Sequence, residues 1–376
     1  MRTVVRLLER FARHAIVYPL LRLFLHNPPV TIPVDITKLR KILILRYDRI
    51  GDIIVTTPIF RLLKKANPHL FVGVLASQSN AELIVNNENV DRIHVLHSHW
   101  ISFAREILSA HNEQYDLVLN FIFNRTTSGG VLSNCIAPRG IKVGQGAEKY
   151  RFYFNVLLKL ERGSKHMVEV LGDIVNGVFG IPVAKKDLVF DIPSDAAAES
   201  IVEEFLAERG ISRKLRKREK QRGFVVFNLS ATDDTRRISD LQAQSILAIL
   251  ARELGWDTVV ISSPSDKDWR TSAVRSVDSK KCWAFPEEGN AGLREIAALI
   301  KRARAVVTPD TAIVHLASAS KTPVLGLFTP LEQIVSEWFP YNVEHKIVLA
   351  EAGLPAASIP VTLLKSALKE FLKDRK

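Results

Sequence analysis

From Lys41 onward the chain alternates between short apolar runs rich in β-branched residues and segments with helical spacing, an order few folds accept. Residues 42–45, 70–75, 91–96, 115–120 and 140–143 read as strands, with helix-like stretches such as 53–65 and 81–86 between them. This order predicts an α/β, doubly wound parallel sheet, because parallel neighbours need a crossover that a helix supplies. Residues 166–179 read as a further helix, stopped by Gly180 and Pro182. A Pro-containing stretch, a helix over 201–209 and the run "SRKLRKREKQR" then interrupt the pattern. It resumes with strands at 224–229, 258–262, 305–307 and 324–328 and helices at 239–254, 293–302 and 311–320, and an amphipathic helix over 360–373 closes the chain. Two α/β halves in tandem are the simplest architecture. The expected division is a basic N-terminal segment 1–38, a first domain 39–182, a linker 183–222, a second domain 223–356 and a final helix 357–376.

Charge and cysteine usage narrow the function. The net charge of +12 is concentrated in two short segments, +4 in residues 1–27 and +7 in residues 209–222. The remainder is nearly neutral, so no basic groove of the kind a nucleic-acid partner requires is expected. Cys135 and Cys282 are far apart and form no CxxC spacing, which argues against a disulfide framework or a structural zinc site and fits a reducing cytoplasm. Residues 1–27 place Val5, Leu8, Phe11, Ala12, Ala15 and Ile16 at helical spacing among Arg2, Arg6, Arg10 and Arg13, with a break at Pro19. Arg22 interrupts the apolar stretch, so neither a membrane span nor a signal peptide fits. An interfacial anchor on an anionic leaflet and a helix packed on the protein's own surface both remain open. The run at 213–222 reads as a solvated loop.

Chemistry concentrates at the strand ends, where helix N-termini in open α/β sheets present unpaired N–H groups to ligands. The stretch "RYDRIGDIIVTTP", residues 46–58, has one glycine, so it is neither a GxGxxG fingerprint nor a P-loop. Gly51 permits a tight turn or close backbone approach. Asp52 suits a helix cap, or a general base that takes a proton from an attacking hydroxyl in a cleft. Its counterpart, "ARAVVTPDTAIVHLASASKTPVLGLFTP", residues 303–330, reads as strand, turn, helix and strand. Asp310 or Thr311 caps that helix, whose first amides suit a diphosphate. His315, four residues on, reads either as a packed core histidine or as part of the site. In "NLSATDDTRRISD", Ser230 and Thr232 offer hydroxyls, and Arg236 and Arg237 offer guanidinium forks for phosphate.

Together, these three segments resemble glycosyltransferase family 9, the ADP-heptose:lipopolysaccharide heptosyltransferases, over roughly residues 40 to 330. The resemblance implies a GT-B fold: two Rossmann-like domains facing across a cleft, the acceptor on the first and the nucleotide-sugar on the second. It further implies an inverting, metal-independent transfer without a cofactor, in which the donor, ADP-heptose, is a substrate. On this chain Asp52 is then the catalytic base. Ser230, Thr232, Arg236, Asp310, Thr311 and His315 are the donor-binding residues, while Arg46, Arg49 and Gly51 meet an anionic glycolipid acceptor at the cytoplasmic face of the inner membrane. Departures from the family pattern stand at Ala312, where it has glycine, at Leu331, and at Arg236-Arg237-Ile238-Ser239, where a cation is followed by Trp-Pro. They bear on the identity of the sugar more than on the reaction. A family 9 transferase with another nucleotide-sugar or glycan acceptor, and a non-catalytic nucleotide-sugar-binding module, are the competing readings.

Overall fold

Residues 18–25, 27–123, 126–211, 223–373 and 375 are described by the computed structural model. The N-terminal amphipathic pattern of residues 1–17 and the basic run at 213–222 lie outside them.

The first apolar run forms β1 (Lys41–Leu45), and its alternating side chains serve two cores. Ile42 and Ile44 pack with the helices Ile50–Ala66 and Met167–Phe179, whereas Leu43 and Leu45 pack with Ala110 and Ile136 of the helices Trp100–Asn112 and Thr126–Ile136. All four are wholly buried, as a central parallel strand covered on both faces requires. β2 (Phe71–Ser77), β3 (Arg92–Leu96), β4 (Leu117–Asn120), β5 (Ile141–Gln145) and β6 (Val156–Leu158) complete the sheet in the order β3-β2-β1-β4-β5-β6.

The second sheet contains β7 (Phe224–Asn228), β8 (Asp257–Ile261), β9 (Cys282–Ala284), β10 (Ala305–Pro309), β11 (Val324–Phe328) and β12 (His345–Leu349). Its order, β12-β11-β10-β7-β8-β9, repeats that of the first sheet when counted from its own first strand. The pairings are parallel throughout, so the molecule has two Rossmann-like halves, the GT-B arrangement. One apolar cluster runs from Ile42 and Ile53 of the first half to Val226, Val306 and Leu316 of the second.

Several elements carry too little sequence signal to be anticipated. The helix Thr126–Ile136 reads TTSGGVLSNCI, poor in helix formers. Its glycines are required by contact: a Cβ at Gly129 would lie 2.6 Å from the Asn120 amide, and one at Gly130 2.5 Å from the Tyr153 ring. The helices Trp100–Asn112, Lys267–Ser276 and Glu332–Trp338 and the outer strands β6, β9 and β12 were likewise not anticipated. The stretch 81–86 is only a 3-10 turn, Ala81–Ile84, and the helix expected over 239–254 is an α-helix Asp240–Ala248 continued by a π turn, Ile249–Glu253. The helix Ala196–Glu208 packs against Leu293–Arg302 of the second half, and the last helix, Val361–Leu372, buries Leu364, Leu368 and Phe371 in that half's core. Among the described residues no helix is long and apolar enough to cross a membrane.

Candidate active site

Each sheet has one point where the chain reverses its direction of winding: between β1 and β4 in the first, between β7 and β10 in the second. Crevices open at the carboxyl ends of such strands. The segment following β1 carries Asp52, the one following β7 carries Ser230 and Arg236, and the one following β10 carries Asp310 and Thr311.

Asp52 lies in the first turn of the helix Ile50–Ala66, near its positive end. It is 8% exposed and accepts from Arg46, whose Nη2 is 3.1 Å from Asp52 Oδ1. Arg46 itself is wholly buried. Its Nε donates to the Asp52 carbonyl and to Thr56 Oγ1, both at 3.0 Å, and its Nη1 donates to Asp48 Oδ2 at 3.1 Å and to the Phe121 carbonyl. A guanidinium so engaged has no face left for a substrate, so the structure places Arg46 beneath the site and not at an acceptor surface. Asp48 shares that guanidinium; burial pushes its carboxyl up to about 6, against the pull of Arg46 and with a further rise from the charge on Asp52. The same helix carries Pro58, which lacks the N–H that would bond Ile54. Thr57 Oγ1 donates to that carbonyl instead, at 2.7 Å, and accepts from the Asp191 amide at 2.9 Å.

On the other side Thr311 caps the helix Ala312–Ser320, its Oγ1 accepting from Ile313 N at 3.3 Å. Asn228, at the end of β7, joins the two strand ends by donating to the Ser230 carbonyl, Thr308 Oγ1 and Thr311 Oγ1 at 3.0, 3.0 and 3.2 Å. Ser230 Oγ accepts from Ser263 N at 2.7 Å, so this hydroxyl fixes the loop, while Thr232 is exposed. The two arginines diverge. Arg237 pairs with Asp266 over the Trp269 ring, whereas Arg236 Nη1 lies 3.3 Å from Asp310 Oδ2. Asp310 is 4% exposed, and burial raises its pKa against the pull of Arg236 and then of Arg49.

The two strand ends meet through Gly51. A Cβ there would stand 2.8 Å from His315 Cδ2 and 3.8 Å from Ala312 Cα, so only glycine lets the two helix starts approach this closely. His315 thus lies at the contact between the two helix starts. Its ring is buried among His166, Phe190 and Trp338, with centroids 6.1, 6.2 and 5.6 Å away, and burial pushes its pKa down to about 4. Such a ring is neutral at physiological pH and packs the seam between the halves.

Sequence reasoning did not single out Asn80, Phe123, Arg162, Asn228 or Glu337. Asn80 Nδ2 donates to the Arg46 carbonyl at 3.0 Å. Phe123 lies under both Arg46 and Arg162, 5.6 and 5.1 Å from their guanidinium carbons. Arg162 forms a two-point pair with Glu337 of the second half, at 2.7 and 2.6 Å. Only the fold reveals what each of them meets. Among the described residues, no three His, Cys, Asp or Glu side chains gather as a metal site.

Comparison with known proteins agrees with this fold. A relative, lipopolysaccharide heptosyltransferase 3 of Escherichia coli, is 22% identical over 308 residues, 78% of this chain and 84% of its own. A glycosyl transferase family 9 structure from Veillonella parvula superposes with TM-score 0.74 at 18% identity, covering 91% of this chain and 99% of that one. Escherichia coli ADP-heptose lps heptosyltransferase II gives TM-score 0.69 at 17% identity, with 89% and 98% covered. The profile of glycosyltransferase family 9 (heptosyltransferase) matches residues 102–363, a stretch that contains both second-half motifs and begins after RYDRIGD. A match over most of the chain settles the assignment: the protein belongs to glycosyltransferase family 9, the heptosyltransferase family, and is a glycosyltransferase.

Proposed function

We propose that this enzyme transfers a heptose from ADP-heptose, with inversion, to a hydroxyl of an anionic glycolipid of the lipopolysaccharide-core type. The observation that carries the reading is the placement of Asp52: a carboxylate held by Arg46 at a helix start that touches, through Gly51 and His315, the helix capped by Thr311. Asp52 takes the proton from the acceptor hydroxyl as its oxygen attacks the anomeric carbon. The bond from that carbon to the diphosphate breaks, and its electron pair leaves on the phosphate oxygen. Arg236 and the first-turn amides of Ala312–Ser320 meet the charge that develops there, where fixed donors are most effective. In this reading Arg46 is a positioning residue that fixes the Asp52 carboxylate, and Arg237, tied to Asp266, stands back from the phosphates. The donor assignment is supported by the naming of the Escherichia coli relatives, as an ADP-heptose enzyme in one case. Ala312, where the family pattern has glycine, supports a second reading in which the site takes another nucleotide-sugar.

The acceptor's lipid end places the enzyme at the cytoplasmic face of the inner membrane, with peripheral contact through residues 1–27. Of that segment, the helix Tyr18–Phe24 leaves Leu20, Leu23 and Phe24 exposed beside Arg22.

One assay tests the whole reading: product mass from ADP-heptose, with UDP- and GDP-sugars in parallel, and acceptor supplied in micelles or anionic vesicles. Asp52→Asn should lower turnover by about 10²–10⁴-fold, the usual worth of a general base, while unfolding as the parent does. Deleting residues 1–27 should cost activity on vesicles and spare it in micelles. Full turnover by Asp52→Asn removes the base, and transfer only from a UDP- or GDP-sugar removes ADP-heptose.

A further inference from the structure

RYDRIGD contains two arginines, and the fold uses them differently. Arg46 is spent internally, as described above. Arg49 is exposed, and among the described residues its side chain makes no hydrogen bond or ion pair. Its backbone, by contrast, is fixed. Arg49 is the N-cap of the helix Ile50–Ala66 with extended dihedrals, and its carbonyl accepts from Ile53 N and from Asn80 Nδ2, both at 3.4 Å. A free cation thus projects from a rigid stalk.

The direction of that stalk comes from its neighbour two residues on. Gly51 lies against His315 and Ala312, so the turn carrying Arg49 belongs to the first domain but sits at the helix start of the second. The electrostatics agree. Asp310, raised by burial, is opposed by Arg236 and then by Arg49, and Asp233, held low chiefly by hydrogen bonds from Thr235, also feels both cations. Arg49 and Arg236, from opposite halves, therefore both act on Asp310, the residue before the Thr311 cap. Asp310 Oδ2 is buried there, 3.3 Å from Arg236 Nη1 but without hydrogen-bond geometry. Of the two carboxylates that feel both arginines, the buried one at Asp310 is satisfied by neither.

We propose that Arg49 reaches across the cleft to the donor's diphosphate, pairing with Arg236 from the other side, and does not contact the acceptor. The assignment rests on the nucleotide-sugar reading above and adds a first-domain residue to donor binding. As the bond to the anomeric carbon breaks, the electron pair moves onto an oxygen flanked by two guanidinium groups and a helix N-terminus. Because the halves contribute one arginine each, a bound nucleoside diphosphate bridges them beside the turn that carries Asp52.

The test is calorimetric titration of the full chain with ADP, UDP and GDP, together with separate KM values for donor and acceptor. Arg49→Ala should weaken binding of the preferred nucleotide by about 10- to 100-fold, as loss of a charged hydrogen-bonding partner does. Arg49→Lys should recover part of this, Arg236→Ala should show a similar loss, and the acceptor KM should stay at the parent value. Unchanged nucleotide affinity in Arg49→Ala with a raised acceptor KM overturns the proposal and returns Arg49 to the acceptor. A parent protein that binds none of the three nucleotides brings down the donor reading and this assignment together. Preference for UDP or GDP removes only ADP, and Arg49 is then judged on the nucleotide that binds.

Discussion

Gly51 shows how far a single residue type can be read. A lone glycine before an aspartate at a strand end marks a turn or a close approach, but the sequence holds no indication of what approaches. Only the fold brings His315, 264 positions away, to 2.8 Å from where a Cβ would stand. Arg46 is the converse case. An arginine next to a buried strand reads as a surface cation because burying a charge is costly, yet here five internal acceptor atoms compensate for it. The Gly51–His315 contact yields a prediction. Gly51→Ala should lose about 1–3 kcal/mol to overpacking and, by displacing the Asp52 turn, should lower turnover as well. In a double-mutant cycle, His315→Ala makes room for the added methyl, so the two losses should be less than additive in urea unfolding. Strictly additive losses would show that the side chains do not press on each other.

At the scale of elements, the strongly periodic segments were legible: β1, β2, β7 and the helices Ile50–Ala66, Met167–Phe179 and Leu293–Arg302 lie close to where the pattern puts them. What escaped was set by tertiary contact. The helix Thr126–Ile136 is held by the pockets that receive its glycines, and β6 and β9 are three-residue strands that exist only because a neighbour offers an edge. The helix Ala312–Ser320 was legible as a helix, a packed core histidine was one of the two readings of His315, and that burial has a pH consequence. His315 has a folded pKa of about 4 against an ordinary value of 6.5. Below pH 6.5 the unfolded chain takes up a proton that the folded chain refuses, so the contribution is complete above pH 6.5 and is lost as pH falls toward 4. By pH 5 the loss is about 2 kcal/mol. Asp48 works in the opposite sense. Its carboxyl is raised to about 6, so it favours the fold at low pH and loses that contribution as pH rises through 6, by about 1 kcal/mol between pH 5 and 7. Urea unfolding at pH 5 and pH 7 should therefore show His315→Leu losing less stability on acidification than the parent, and Asp48→Asn losing more. Parallel profiles for parent and variants would show that neither group titrates as its burial implies.

For the whole molecule, the question is what sets the two halves at a distance where Asp52 and the second-half site can act together. The Gly51–His315 seam is flanked by two polar clasps. In one, Arg294 donates to the Glu82 and Val85 carbonyls at 2.7 Å each and pairs with Asp195 at 2.6 Å, while Glu82 Oε1 accepts from Leu293 N at 3.2 Å. In the other, Glu337 receives Arg162 at two points and the Gly163 amide at 2.8 Å. The second clasp is connected to the site, since Arg162 shares the Phe123 ring with Arg46, and Arg46 holds Asp52. Glu337 is 1% exposed and takes two bonds from the arginine that meets it. Arg162→Met should cost about 3–5 kcal/mol, because it takes a two-point charged partner from a buried carboxylate. Arg162→Met with Glu337→Leu should regain most of that, since a desolvated ion pair and an apolar pair of similar volume differ little in net stability. Activity should not return with stability: the double variant folds but no longer fixes the second half against Phe123, so donor KM should stay raised while unfolding resembles that of the parent. Recovery of both together would mean that apolar packing alone orients the halves and that the ion pair contributes nothing specific to their alignment.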